Sequence, residues 1–219
     1  PTLLEVLPEN PTRNGIMPEN ALAIAKILLE AGAKHNQTAL NETLMLAASG
    51  RVCREAGLQT ALLELLCKHG ADPAAGMQSA LAHEEFAAVR TLISRGAPLD
   101  LATAATLDER DALKQMLPEA SEPDLQLALS LAASAGRAEV VQILLSSGAE
   151  PNRYNPPGGH SHCTPLHSAV ANNRLETVVV LVEGGADPNM TDIHHSATAL
   201  DWALHLKHQE IATYLGALD

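Results

Sequence analysis

Six residues able to bind metals or move protons crowd into the last third of the chain: His160, His162, Cys163, His167, His194 and His195. Imidazole with thiolate is the ligand vocabulary of zinc. A cysteine near a histidine can also serve as nucleophile and base. Neither chemistry has a strong pattern behind it. No Gly-x-Ser-x-Gly, P-loop or His-Glu-x-x-His spacing occurs. His160 and His162 alternate within a glycine-rich stretch, where they can equally bond to carbonyls of their own loop. A His/Cys metal protein therefore stays a minor alternative, to be recognised by zinc retained through purification. The expectation is no enzyme, no catalytic residue, no metal and no cofactor.

The elements that must carry these side chains are short helices. Thr164-Pro165 opens one, a capping hydroxyl followed by a proline where the missing N–H costs nothing. Leu166, Ala169 and Val170 then follow at helical spacing. After a turn at Asn172-Asn173, the residues Leu175, Val178, Val179, Leu181 and Val182 form a second helix, apolar on nearly every side. Gly184-Gly185 ends it, glycine accepting the left-handed backbone that follows a helix. Helices this short cannot stand alone. A pair of them leaves an apolar side that only a neighbouring pair can cover.

Thr164-Pro165-Leu166-His167-Ser168-Ala169, with Gly185-Ala186-Asp187-Pro188-Asn189 after it, resembles the ankyrin repeat, a unit of about 33 residues with a turn and two antiparallel helices. The resemblance implies an all-α solenoid of about seven stacked helix-turn-helix units with projecting turns. It also implies that His167 and Thr164 tie their turn together by hydrogen bonds. The turns project as fingers and, with the inner helices, form a concave surface that takes a partner protein. The whole chain, 1–219, is expected to be one such domain, with units near 1–36, 37–75, 76–99, 100–122, 123–155, 156–190 and 191–219.

Composition agrees. Of 219 residues 46% are apolar, yet the aromatics are only Phe86, Tyr154, Trp202 and Tyr214, so the core must be Leu, Ala, Val and Ile. Closely approaching helices suit that palette. Fourteen basic against 26 acidic residues give −12, which disfavours a phosphate backbone as partner, since that affinity needs Lys and Arg clusters. A solvated, soluble surface accounts for this charge, and a partner protein of basic character is the remaining reading. Cys53, Cys67 and Cys163 are odd in number without C-x-x-C spacing, as in a reducing, cytoplasmic compartment. No apolar run has membrane length, and no membrane association is expected. A monomer is expected. The start at Pro1 leaves an upstream segment open.

Along the chain, Ile24 to Ala33 has the second-helix pattern, and Leu3, Leu4, Val6 and Leu7 are candidates for its partner, with Pro8 to Asn20 as a loop. In the second unit Thr43 to Ala48 is the inner helix and Leu62 to Asp72 ends the outer one. The surplus around Arg51 to Gln59 is expected to prolong the turn or the outer helix. Ala80 to Ala97 is a unit of standard internal length, and the interval from Ala97 to Ala104 leaves almost no finger. The fourth unit ends at Pro118 without Gly-Ala. The fifth has Leu129 to Gly136 as its inner helix, and the seventh closes the stack from Thr198 to Leu215.

The longest finger, Arg153 to Cys163, is the first candidate contact surface. Tyr and Arg dominate interface energies, and Pro156-Pro157 limits the entropy lost on docking. The inner-helix surface at Ser134, Ala135, Ala171, Asn172, His205 and Leu206 is the second. Partner-binding residues are accordingly expected at Arg153, Tyr154, Asn155, His160, His162, Asn172, His194 and His205. The function expected is non-enzymatic protein binding. Scaffold and inhibitor, the latter an antitoxin-like cover for a basic site, both remain open.

Overall fold

The computed structural model describes residues 17–32 and 36–218. Every regular element among them is helical, with one isolated antiparallel bridge between Thr191 and Thr198. The chain divides into two compact units between Leu99 and Asp100, inside the interval where the sequence leaves the shortest finger.

In the first unit the helices are α1 (Ala21–Glu30), α2 (Gln37–Ser49), α3 (Arg51–Glu55), α4 (Gln59–Lys68), α5 (Met77–Ala82) and α6 (Phe86–Ser94). Helices α2 and α4 pair, as do α5 and α6, and α2 packs on α5 while α4 packs on α6. Helix α1 lies against α4. The partner expected for α1, at Leu3 to Leu7, lies outside the described residues. The surplus around Arg51 is neither a longer turn nor a longer outer helix. Gly50 breaks the chain in an extended conformation, α3 forms a separate turn of helix, and Gly57 leads into α4.

The second unit holds α7 (Leu101–Leu107), α8 (Arg110–Met116), α9 (Glu122–Ala135), α10 (Ala138–Ser146), α11 (Pro165–Ala171), α12 (Leu175–Glu183), α13 (Ala199–Leu206) and α14 (Gln209–Leu215). Each odd helix pairs with the even one after it. The row α7, α9, α11, α13 packs side by side, and so does α10, α12, α14. Six hairpins are thus present among the described residues, besides α1.

One alanine recurs at the same place in five of the six inner helices, α5, α7, α9, α11 and α13: Ala80, Ala104, Ala132, Ala169 and Ala203 are all 0% exposed. Its carbonyl accepts the N–H that closes the hairpin, from Glu85, Glu109, Arg137, Arg174 and His208 respectively, at 2.9 Å in every case. A larger side chain there would hold neighbouring backbones apart. Outer helices end by a second recurring bond, Ala71 to Leu66, Ala97 to Leu92, Ala149 to Leu144 and Ala186 to Leu181, at 2.9–3.0 Å. The glycine before each alanine has φ between 95° and 104°, the left-handed cap that glycine adopts without steric cost. The α7–α8 hairpin lacks Gly-Ala and ends instead in a 3-10 turn at Leu117–Glu119 containing Pro118.

Helix α9 starts earlier than the expected Leu129. Ser121 and Asp124 form a reciprocal capping box and Pro123 sits in the first turn, so two further turns of helix are nucleated ahead of the apolar run.

Candidate partner-binding surface

Two fingers and two inner helices build the site. The finger at 153–163 is closed at its base by Asn155, whose N–H donates to the Cys163 carbonyl at 2.9 Å. The Asn155 amide donates to Ser168 Oγ at 2.9 Å and the residue is 2% exposed. Asn155 therefore cannot serve as a contact residue, which corrects the expectation: a buried amide is spent on holding the loop. Gly159 packs against α9, where its carbonyl accepts from Ser130 Oγ at 3.1 Å. A Cβ on Gly159 would stand 2.2 Å from that oxygen, so only glycine fits.

Arg153 and Tyr154 are both engaged by neighbouring hairpins. Arg153 is ion-paired with Glu122, each side chain more than half exposed. The Tyr154 hydroxyl donates to the Thr191 carbonyl at 2.8 Å, while its ring stays 40% exposed. Asn152 brackets the next finger, donating to the Gly185 carbonyl at 2.8 Å and accepting from the Asp187 N–H at 2.7 Å.

The finger at 187–198 is organised by Asp192, a residue not expected from sequence. It is 2% exposed, and its carboxylate accepts from the N–H groups of His194 (2.8 Å), His195 (2.7 Å) and Ala197 (3.2 Å) and from Trp202 Nε1 (2.9 Å). Burial pushes its pKa up, but the donors, led by the His195 N–H and Trp202, outweigh burial and hold it at about 2. Helix α13 starts immediately after this finger, capped by a second box in which Thr198 and Asp201 each accept from the other's N–H.

His167 belongs to the scaffold. Its Nε2 lies 3.1 Å from the Ala197 carbonyl and its Nδ1 2.8 Å from Thr164 Oγ. A carbonyl can only accept, so Nε2 carries the proton and Nδ1 takes the threonine hydroxyl. Burial pushes its pKa down, against the Ala197 bond and Asp192. Cys163 is likewise sealed, 2% exposed, with its thiol near Ser168, Asn155 and the His160 carbonyl, and burial pushes its pKa up. A thiol so placed is a poor nucleophile.

The remaining histidines do come together. His162 and His194 stack with centroids 4.8 Å apart and 21° between planes. His160 stands 6.2 Å from His162, and His195 6.4 Å from His194. Among the described residues no group of three or more His, Cys, Asp or Glu is placed to hold a metal ion. Next to this cluster lies a groove of about 590 Å³ lined by Ala171, His195, Ala197, Asp201, Trp202, His205 and Leu206. His205 therefore faces the groove, as does Ala171. Asn172 is exposed one residue further on, its amide donating to Ser134 Oγ and to the Ser168 carbonyl, both at 3.0 Å. Trp202 and His195 were not among the expected contact residues. The one tryptophan of the chain, four residues before Leu206 on an inner helix, is the sequence signal that could have found them.

No helix is long and apolar enough to cross a membrane among the described residues. The family model for ankyrin repeats, three copies, matches residues 101–192. No curated protein matches the chain.

Proposed function

Residues 101–192 are ankyrin repeats, units that generally serve in protein–protein interaction, and from that premise we propose that this chain is a non-enzymatic module holding a partner protein in the groove between α11 and α13. The observation that carries the reading is the groove itself. Its lining combines the Trp202 ring and Leu206, 41% exposed, with imidazoles of His195 and His205 at the walls. Aromatic and aliphatic anchors ringed by a few polar groups are the composition of an energetic hot spot. The fingers at 153–163 and 187–198 extend the surface through Arg153, Tyr154, His160, His162 and His194, with Asn172 at its edge.

Affinity capture with the intact chain, Leu206→Asp and the Arg153→Ala/Tyr154→Ala double variant tests it. Leu206 is exposed, so the aspartate leaves the fold intact while placing a charge where an apolar side chain must dock; partner recovery is expected to fall by roughly tenfold or more. Recovery equal to that of the unchanged chain would remove the groove from the proposal. Scaffold and inhibitor differ in the charge of the partner. The net charge of −12 favours a basic one, and capture that weakens steeply between low and high salt would mark the inhibitor-like role.

A further inference from the structure

The two fingers meet through a cluster of imidazoles. Loop 153–163 contributes His160 and His162, and loop 187–198 contributes His194, His195 and the carboxylate of Asp192. Helix α11 adds His167 from behind; α13 adds Trp202, Asp201 and His205. The 4.8 Å stack of His162 on His194 suits neutral rings. Two imidazolium ions at that separation repel, and the rings of His160 and His195 lie 6.2 Å from His162 and 6.4 Å from His194 respectively. Asp192 draws a proton toward His162, but its oxygens are already committed to four donors, and Asp201 is committed to the α13 cap. Burial of His162, then the neighbouring His194 and His160, outweigh that attraction and hold His162 below the usual imidazole range.

Two bonds join the loops beside the stack. The Ile193 N–H donates to the His162 carbonyl at 2.8 Å, and the Tyr154 hydroxyl to the Thr191 carbonyl at 2.8 Å. Each loop also carries a non-glycine residue in the left-handed region, His160 at φ 61° and Ser196 at φ 52°. We infer that the His162–His194 stack is a proton-operated joint: neutral, it holds the two fingers together and fixes the His195 wall of the groove; protonated, it parts them. What the opening regulates rests on the partner-binding reading, for an occupant held at neutral pH would be let go in acid. The joint itself does not rest on it.

The test reads the intact chain without a partner. Amide exchange at Ile193 is compared between about pH 7.5 and about pH 5.5, each rate divided by its intrinsic value, with the Val178 amide inside α12 as control. Protection of Ile193 is expected to fall roughly tenfold on acidification while that of Val178 holds. His194→Gln, at an exposed position, is expected to abolish the pH dependence. Trp202, 6.1 Å from His162 and the only tryptophan in the chain, gives a second reading through its emission, expected to shift over the same pH range in the unchanged chain and not in His194→Gln. Ile193 protection that ignores pH, or falls equally in His194→Gln, overturns the joint. Failure of the capture experiment would leave these protection factors as they are, so the two proposals fail separately.

Discussion

At the scale of single residues, Asp192 is the most consequential side chain of the C-terminal finger. Its carboxylate is the common acceptor for three backbone N–H groups and an indole. Asp192→Ala would leave buried donors without partners and is expected to cost about 3 kcal/mol, read as a lower urea midpoint. Asp192→Asn keeps one acceptor and is expected to cost less. A midpoint unchanged in Asp192→Ala would show that water serves those donors equally well. The pH dependence follows with a definite sign. A carboxylate held at about 2 against an ordinary 3.8 contributes stability that is complete above 3.8 and lost as pH falls toward 2. His162 and His167 act earlier. Burial lowers both from 6.5, so the folded chain binds fewer protons than the unfolded one just below that value. Their contribution is complete above pH 6.5 and declines as pH falls through it. Thermal melts across this range are expected to show a first decline near pH 6 and a second below pH 4; a flat profile down to pH 4 would contradict the neutral buried assignment of His167.

At the scale of elements, the caps and close approaches set where each helix and loop can lie. The Ser121–Asp124 box lengthens α9 by two turns, and Ser121→Ala is expected to cost about 1 kcal/mol by chemical denaturation. Gly159 has the stricter constraint, because an added Cβ meets Ser130 Oγ at 2.2 Å and Ser130 Cβ at 3.1 Å. Gly159→Ala is expected to destabilise by about 2 kcal/mol. Adding Ser130→Ala should return part of that loss, since the hydroxyl is the nearer obstacle; a double variant no better than the single would place the strain elsewhere in the loop. These elements also show what sequence could reveal. Thr164-Pro165, Gly184-Gly185 and the apolar spacing between them make the hairpins readable, because caps and periodicity are local. The α9 start has a local signal too, Ser121-x-x-Asp124, but the degenerate α7–α8 hairpin before it hides that signal, and the sequence places the helix start only at Leu129. Asn155 was not. Its amide is buried by Ser168 and Cys163, further along the chain, and a loop asparagine gives no local sign of which side will be enclosed. Nor does a lone aspartate before two histidines announce that four donors will converge on it.

At the scale of the molecule, two facts dominate: a core of small and aliphatic side chains and a surface of net charge −12. The recurring buried alanines let hairpins pack closely within each unit, but they contribute little area apiece, so most of the apolar burial falls to leucines such as Leu66, Leu92, Leu144 and Leu181, all 0% exposed. Burying one such leucine is worth about 2 kcal/mol, and Leu144→Ala is accordingly expected to cost 2–5 kcal/mol. Against that core works the self-repulsion of the acidic surface. Apart from Arg54–Glu85, whose carboxylate is buried, the ion pairs among the described residues lie at the surface, as with Arg95–Glu64 at 3.0 Å and Arg51–Glu55 at 3.3 Å, and such pairs add little. Screening should then stabilise the chain, because salt weakens the many like-charge repulsions more than it weakens a few exposed pairs. Raising ionic strength from about 0.05 to about 0.5 M is expected to lift Tm by about 2–4 °C, measured by circular dichroism in a non-binding salt such as sodium chloride. A Tm that fell over this range would mean that the exposed pairs hold the hairpins together more strongly than the net charge drives them apart. The same titration with the captured partner present separates the two effects, since screening that steadies the free chain would loosen its hold on a basic protein.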